Sequence, residues 1–153
     1  MVRKDVWLVP TLVAGRDVIE RAEKVPGSMP EWAVAKAKQV TTDHMNSFRQ
    51  AVAAGVRVAM GTDSGVGEHG RNARELGLMV EGGLTPMQAL VAATSAAARL
   101  LYPNNPPVGI LQPGKIADLL LVTRDPLRDV CVLENQTDIK LIVRNGVIYK
   151  STP

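Results

Sequence analysis

The chain has 153 residues, 46% of them hydrophobic and 22% charged, with 18 Lys and Arg against 15 Asp and Glu for a net charge of +3, the make-up of one ordinary soluble domain. Its basic residues are scattered rather than gathered into a stripe, and it has only two Trp, two Tyr and one Phe, so no nucleic-acid partner is expected. No apolar run approaches the roughly 20 residues of a bilayer span, and the apolar stretch of MVRKDVWLVP is too short for a secretory signal; no membrane partner is expected, and a cytoplasmic location is.

Val6 to Val13 (VWLVPTLV) is apolar on both faces, which suits a strand buried on both sides of a parallel sheet, although Pro10 argues for an early end. Gly15 to Gly27 reads as a loop or short helix. Ser28, Pro30 and Glu31 have capping-box spacing, and Val34, Ala37, Thr41, Met45, Phe48 and Val52 follow at helical intervals until Gly55. Val56 to Met60 (VRVAM) is a second strand, so strand, helix and strand form a βαβ unit. A glycine-rich loop, Gly61 to Gly70, comes next, followed by a helix over 72–81 that Gly82 and Gly83 stop.

Thr85, Pro86 and Gln88 spell a helix start. In that helix Met87, Leu90, Thr94, Ala97 and Leu101 form an expected inward stripe, while Ala92, Ala93, Ala96 and Ala98 permit close approach of a neighbour. From Tyr102 the composition shifts to a Pro- and Gly-rich connector. Two strands, Ala117 to Thr123 and Ile139 to Arg144, are followed by Asn145-Gly146, a two-residue hairpin turn, and a return strand Val147 to Lys150. The lone Cys131, among Val130, Val132 and Leu133, excludes an internal disulfide and reads as a buried, inert thiol.

Asp63 lies three residues past the second strand, at its carboxyl end, where parallel α/β folds bind ligands and place catalytic groups. A carboxylate there can bind a metal or act as a general base, with His69 six residues on to ligate, shuttle a proton or donate a hydrogen bond. Asp63 can equally cap a turn. Gly65, Gly67 and Gly70 also spell the G-x-G-x-x-G of dinucleotide sites, but a second parallel strand does not follow. His44 reads as a helix-surface or packing residue, and Glu75 and Glu81 as a solvated face. Arg71 and Arg74 could bind an anionic substrate group or pair with Glu75 or Glu81.

Three ordered blocks, GTDSGVGEHGRNARELGLMVEGGLTPMQALVAATSAAARLL, VGILQPGKIADLLLVTRDPL and IVRNGVIYK, resemble the C-terminal portion of metal-dependent amidohydrolases of the imidazolonepropionase and Xaa-Pro dipeptidase type. The resemblance implies an α/β fold: residues 1–101 as the last two β/α units of a TIM-type (β/α)8 barrel, and 102–153 as a connector and antiparallel strands of a small β-sandwich. It implies that Asp63 binds an active-site metal, most simply zinc, accepts a proton and returns it to the leaving nitrogen. His69, Thr62 and Arg71 would contact substrate or support the site. The substrate would be a small amide, cyclic or dipeptide-like.

The family's other metal ligands, on earlier strands, have no counterpart here and are expected upstream of Met1. A catalytic zinc takes three protein ligands, and two strands cannot close a barrel. The isolated chain is therefore expected to be inactive and to need an N-terminal barrel fragment or a second copy of itself. The alternative is a non-catalytic remnant or interaction module that folds by dimerising.

Overall fold

Pro10 has no N–H to give a neighbouring strand, and the computed structural model, which describes residues 1–152, shows the consequence. Leu8 N–H donates to the Arg57 carbonyl at 2.8 Å and Ala59 N–H donates to the Leu8 carbonyl at 3.0 Å. This parallel bridge between Leu8 and Val58 is all that remains of the two expected strands. Beyond Pro10, Thr11 turns to a left-handed φ of 51° and α1 (Leu12–Lys24) begins, so Leu12 and Val13 are helical, as is most of the segment read as a loop or short helix.

α2 (Glu31–Ala53) starts behind Pro30 without a side-chain cap. The Ser28 hydroxyl turns back instead to donate to the Arg21 carbonyl at 3.3 Å, satisfying the open end of α1 rather than the start of α2, so the expected capping box does not form. Gly55, at φ 73°, carries the chain out of α2, a conformation glycine adopts without steric cost. The expected stripe does face inward: Ala37, Met45 and Phe48 are buried and Val34, Thr41 and Val52 half-buried. α1 crosses α2 closely at Gly15, where an added Cβ would lie 2.8 Å from Thr41 Oγ1.

After the glycine loop, α3 (Arg74–Glu81) places Leu76, Leu78 and Met79 in one cluster with Leu12, Val13, Met45 and Phe48. Gly82, just past α3, leaves room for the Phe48 ring, which any Cβ there would strike. Thr85 caps α4 (Pro86–Val91) with the reciprocal Thr85 and Gln88 bonds of a full capping box. A π turn (Ala92–Ala96) then leads into α5 (Ala97–Leu101). The extra residue per turn breaks the 3.6-residue period. From there on the stripe expected on Thr94 and Leu101 therefore lies in solvent; Met87, before the π turn, is exposed as well, and Ala89, Ala92, Ala96 and Ala98 are the buried face. The Ala92 carbonyl at the head of the π turn accepts from Met60 N–H at 2.9 Å, tying the end of the Val58 segment to this helix.

The tail is a three-stranded antiparallel sheet in the order β1 (Leu119–Val122), β2 (Ile139–Arg144), β3 (Val147–Ser151). Asn145 and Gly146 take φ of 50° and 75°, the two positive angles of a type I′ hairpin. Between β1 and β2, the 3₁₀ turn Val130–Glu134 buries Val130 and Val132. With three residues per turn, successive side chains point about 120° apart, so three neighbours cannot all face one core. Cys131 is the one left exposed, contrary to its expected burial. Trp32, Leu111, Ile148 and Tyr149 are exposed as well. No helix among the described residues is long and apolar enough to cross a membrane.

Phe48, 1% exposed, is the largest side chain of the core. Phe48→Ala should lower unfolding free energy by about 3–5 kcal/mol, measured by denaturant titration with an unchanged m-value.

Candidate functional site

The loop after the Val58 segment turns on Asp63, whose φ of 52° is left-handed, a region Asp tolerates better than most residues. Val66 N–H donates to the Asp63 carbonyl at 3.1 Å and closes the turn. The Asp63 carboxylate itself is exposed and makes no hydrogen bond or ion pair among the described residues. It therefore does not cap the turn through its side chain, and its lone pairs stay available. Thr62 Oγ1 accepts from Asn72 Nδ2 at 3.4 Å, and Ser64 Oγ lies 3.4 Å from His69 Nδ1.

A cleft of about 10 Å³ opens between this loop and α1, lined by Thr62, Ser64, Glu68, Arg71 and Asp17 among others. Thr62 and Arg71 thus meet at one cleft, while Asp63 and His69 stand on the exposed part of the same loop, outside that lining. The loop is seated on α1 at Gly67, where any Cβ would collide with the Asp17 carboxylate. A larger groove of about 400 Å³ lies away from Asp63, between α1, α2 and α3.

Behind the cleft, charges on α1 and α3 interlock. Arg74 reaches Asp17 Oδ1 at 3.1 Å and also binds Glu20, while Arg71 lies 3.5 Å from Glu20. The two arginines therefore pair with carboxylates of α1, not with Glu75 or Glu81. Glu81 pairs with Arg16 instead, at 3.0 Å. The Arg74 hydrogen bond, opposed by burial and aided by the charges of Arg74, Arg71 and Lys24, holds the Glu20 carboxyl below the usual glutamate range.

Glu75 overturns the expectation of a solvated face. Its residue is 0% exposed, and its two carboxylate oxygens accept from Leu12 N–H and Val13 N–H, each at 2.8 Å. Burial pushes its pKa up, against the two backbone bonds that lower it, with the Asp17 charge adding to the rise. The sequence held a signal for this. Glu75 stands four residues before Met79, on the helix face that faces the core.

Among the described residues no three His, Cys, Asp or Glu side chains gather as a metal-holding group. Asp63 offers one donor where a catalytic zinc takes three protein ligands, so these residues do not by themselves make a zinc site. His44 is half-buried on α2, outside the loop. α3 leads into α4 rather than a strand, so the glycine pattern lacks the second strand that a dinucleotide fingerprint requires.

Comparison with known proteins gives one direction. The sequence profile described as the amidohydrolase family matches residues 1–149. The chain is 35% identical over 142 residues to the ochratoxinase of Aspergillus niger, an alignment covering 90% of this chain and 29% of that protein. It superposes on the crystal structure of a Xaa-Pro dipeptidase with bound methionine in the active site with a TM-score of 0.83 and 34% identity, over 99% of this chain and 36% of that one. On a prolidase complexed with N-methylphosphonate-L-proline the TM-score is 0.86 with 27% identity, over 99% of this chain and 36% of that one. The chain thus spans about a third of the length of these relatives.

Two outcomes follow from the titrating groups. With its folded pKa lowered, Glu20 contributes stability above the ordinary glutamate value of about 4.3, and that contribution is lost as pH falls through the lowered value. Denaturant titrations across acid pH should show Glu20→Gln less stable than the parent at neutral pH and the gap closing as acid protonates Glu20. Glu75, with its pKa raised, acts with opposite sign, its contribution fading as pH rises through the raised value.

Cys131 is exposed, yet partial burial first, then a hydrogen bond and the charge of Glu134, with Asp129 beside it, push its thiol to about 11. Since the thiolate is the nucleophile, iodoacetamide should modify Cys131 slowly at neutral pH, with the rate climbing until the medium nears that value.

Proposed function

The chain belongs to the amidohydrolase family, and from that membership we propose that it is the C-terminal part of a metal-dependent enzyme hydrolysing a C–N amide bond in a cyclic amide or dipeptide-like substrate. The observation that carries this reading is Asp63. Its carboxylate is exposed and unpartnered on the loop that leaves the carboxyl end of the Val58 segment, the edge at which α/β barrels carry out chemistry. On this reading the Leu8 and Val58 segments are the last two strands of a (β/α)8 barrel, and the tail sheet is part of a β-sandwich.

Asp63 takes a proton from the attacking water as general base, then hands it to the departing nitrogen as general acid. Asp63 would be this chain's ligand to a divalent metal, most simply zinc, which when bound would make water more acidic, with the remaining ligands coming from polypeptide outside this chain. His69, held near Ser64, is placed to touch substrate or to support Asp63. Thr62 and Arg71 border the cleft on the inner side of the loop. The ochratoxinase and Xaa-Pro dipeptidase relatives set the range of substrates to be tried.

Alone, the chain is inactive on this reading and combines with an N-terminal barrel polypeptide. The exposed Trp32, Met87, Leu101, Leu111, Ile148 and Tyr149 support a polypeptide partner. They also favour a second reading, a non-catalytic chain that folds by dimerising. In that case its melting temperature would rise with protomer concentration and added barrel polypeptide would confer no hydrolysis.

The test is hydrolysis of Xaa-Pro dipeptides and N-acyl amino acids, with added zinc, by the chain alone and by the chain mixed with an N-terminal barrel polypeptide from a relative. Turnover is expected in the mixture only, falling at least about 100-fold in Asp63→Asn. Turnover that survives this substitution would overturn the role given to Asp63.

A further inference from the structure

Two joints at the rim are held in unfavourable backbone conformations. Thr11, at φ 51°, is a β-branched residue in the left-handed region, where such residues are outliers. Asp63, at φ 52°, is the second. Thr11 stands three residues past the bridge residue Leu8, and Asp63 five past its bridge partner Val58. The Thr11 joint touches the start of the Asp63 loop at Gly61, two residues before Asp63, where an added Cβ would lie 3.6 Å from Thr11 Cγ2. Strain of this kind persists only where surrounding contacts over-determine it.

Thr11 does not cap α1 with its own hydroxyl. The first free amides of that helix are met from another element, by the fully buried Glu75 carboxylate of α3. An anion at a helix N-terminus is favoured by the helix dipole, and two acceptor bonds to successive amides fix the direction in which α1 leaves Thr11. One turn further along α1, Asp17 is bound by Arg74 at 3.1 Å and is covered by Gly67, a residue of Asp63's own loop. Arg74 and Glu75 are adjacent on α3, so one turn of α3 holds both the start of α1 and the residue on which the loop rests.

We propose that Glu75 and Asp17 are positioning residues for Asp63, Glu75 by pinning the strained Thr11 joint and Asp17 by seating Gly67. Neither touches the reacting atoms. The inference rests on the reading of Asp63 as the proton-handling group. Gln at position 75 keeps the shape but offers one acceptor oxygen and turns an N–H₂ toward the other amide, and Asn at 17 removes the charge that Arg74 holds.

The experiment uses backbone amide resonances and hydrogen exchange of the 153-residue chain. In Glu75→Gln, the Leu12 and Val13 amides should exchange at least about tenfold faster, and the resonances of 61–70 should shift while those of β2 stay. In Asp17→Asn, the loop resonances should shift with Leu12 and Val13 still protected. Loop resonances unmoved in Asp17→Asn overturn the proposal, and that variant alone decides if Glu75→Gln fails to fold. In the hydrolytic mixture, both variants should lower kcat about tenfold with KM unchanged, and equal losses in Asp63→Asn backgrounds would refute positioning through Asp63. Absence of turnover in the parent mixture would count against the hydrolase reading while leaving the resonance result to judge the positioning of the loop.

Discussion

A carboxylate without solvent access, bridging two backbone amides of a different helix, is the constraint on which this arrangement depends. Glu75 carries a carboxyl group into the core, an unfavourable transfer unless hydrogen bonds compensate it. The Leu12 and Val13 amides supply that compensation and are in turn satisfied by it. Removing either side would leave the other buried and unpaired, which costs more than the bond is worth when made. The pair therefore fixes how α1 meets α3.

Close approach does the rest. Gly15 lets α1 reach Thr41 of α2, Gly82 admits the Phe48 ring, and Gly67 lets the loop settle on Asp17. At each of these places the missing side chain is the space another group occupies. Interiors are packed too densely to absorb an added methyl group without displacement. The same loop leaves the Asp63 carboxylate outward and unpaired among the described residues, so a close backbone contact at Gly67 and a free side chain at Asp63 coexist within a few residues.

The features legible in the residues were those whose partners are close in the chain. The Thr85 to Gln88 capping box spans one helical turn, the Asn145-Gly146 turn needs two residues, and the α2 stripe follows from its own period. Reading by period failed where a π turn inserted an extra residue at Ala92–Ala96, and reading by neighbours failed at Cys131, which a 3₁₀ turn directs outward. The Asp63 loop was legible as a loop, since the glycines around it favour irregular backbone.

The sequence by itself determined several local elements, the α2 stripe, the Thr85 cap and the Asn145-Gly146 turn among them, the glycine loop that carries Asp63 and, through three ordered blocks, the family to which the chain belongs. The tertiary structure alone decided that Glu75 is a buried clamp and that Arg74 answers Asp17 and Glu20. It also decided that the parallel strands shrink to a single bridge. The physical reason is separation along the chain: Glu75 and its amides are 62 and 63 residues apart. No local periodicity or propensity carries information about a contact that exists only once α1 and α3 have packed.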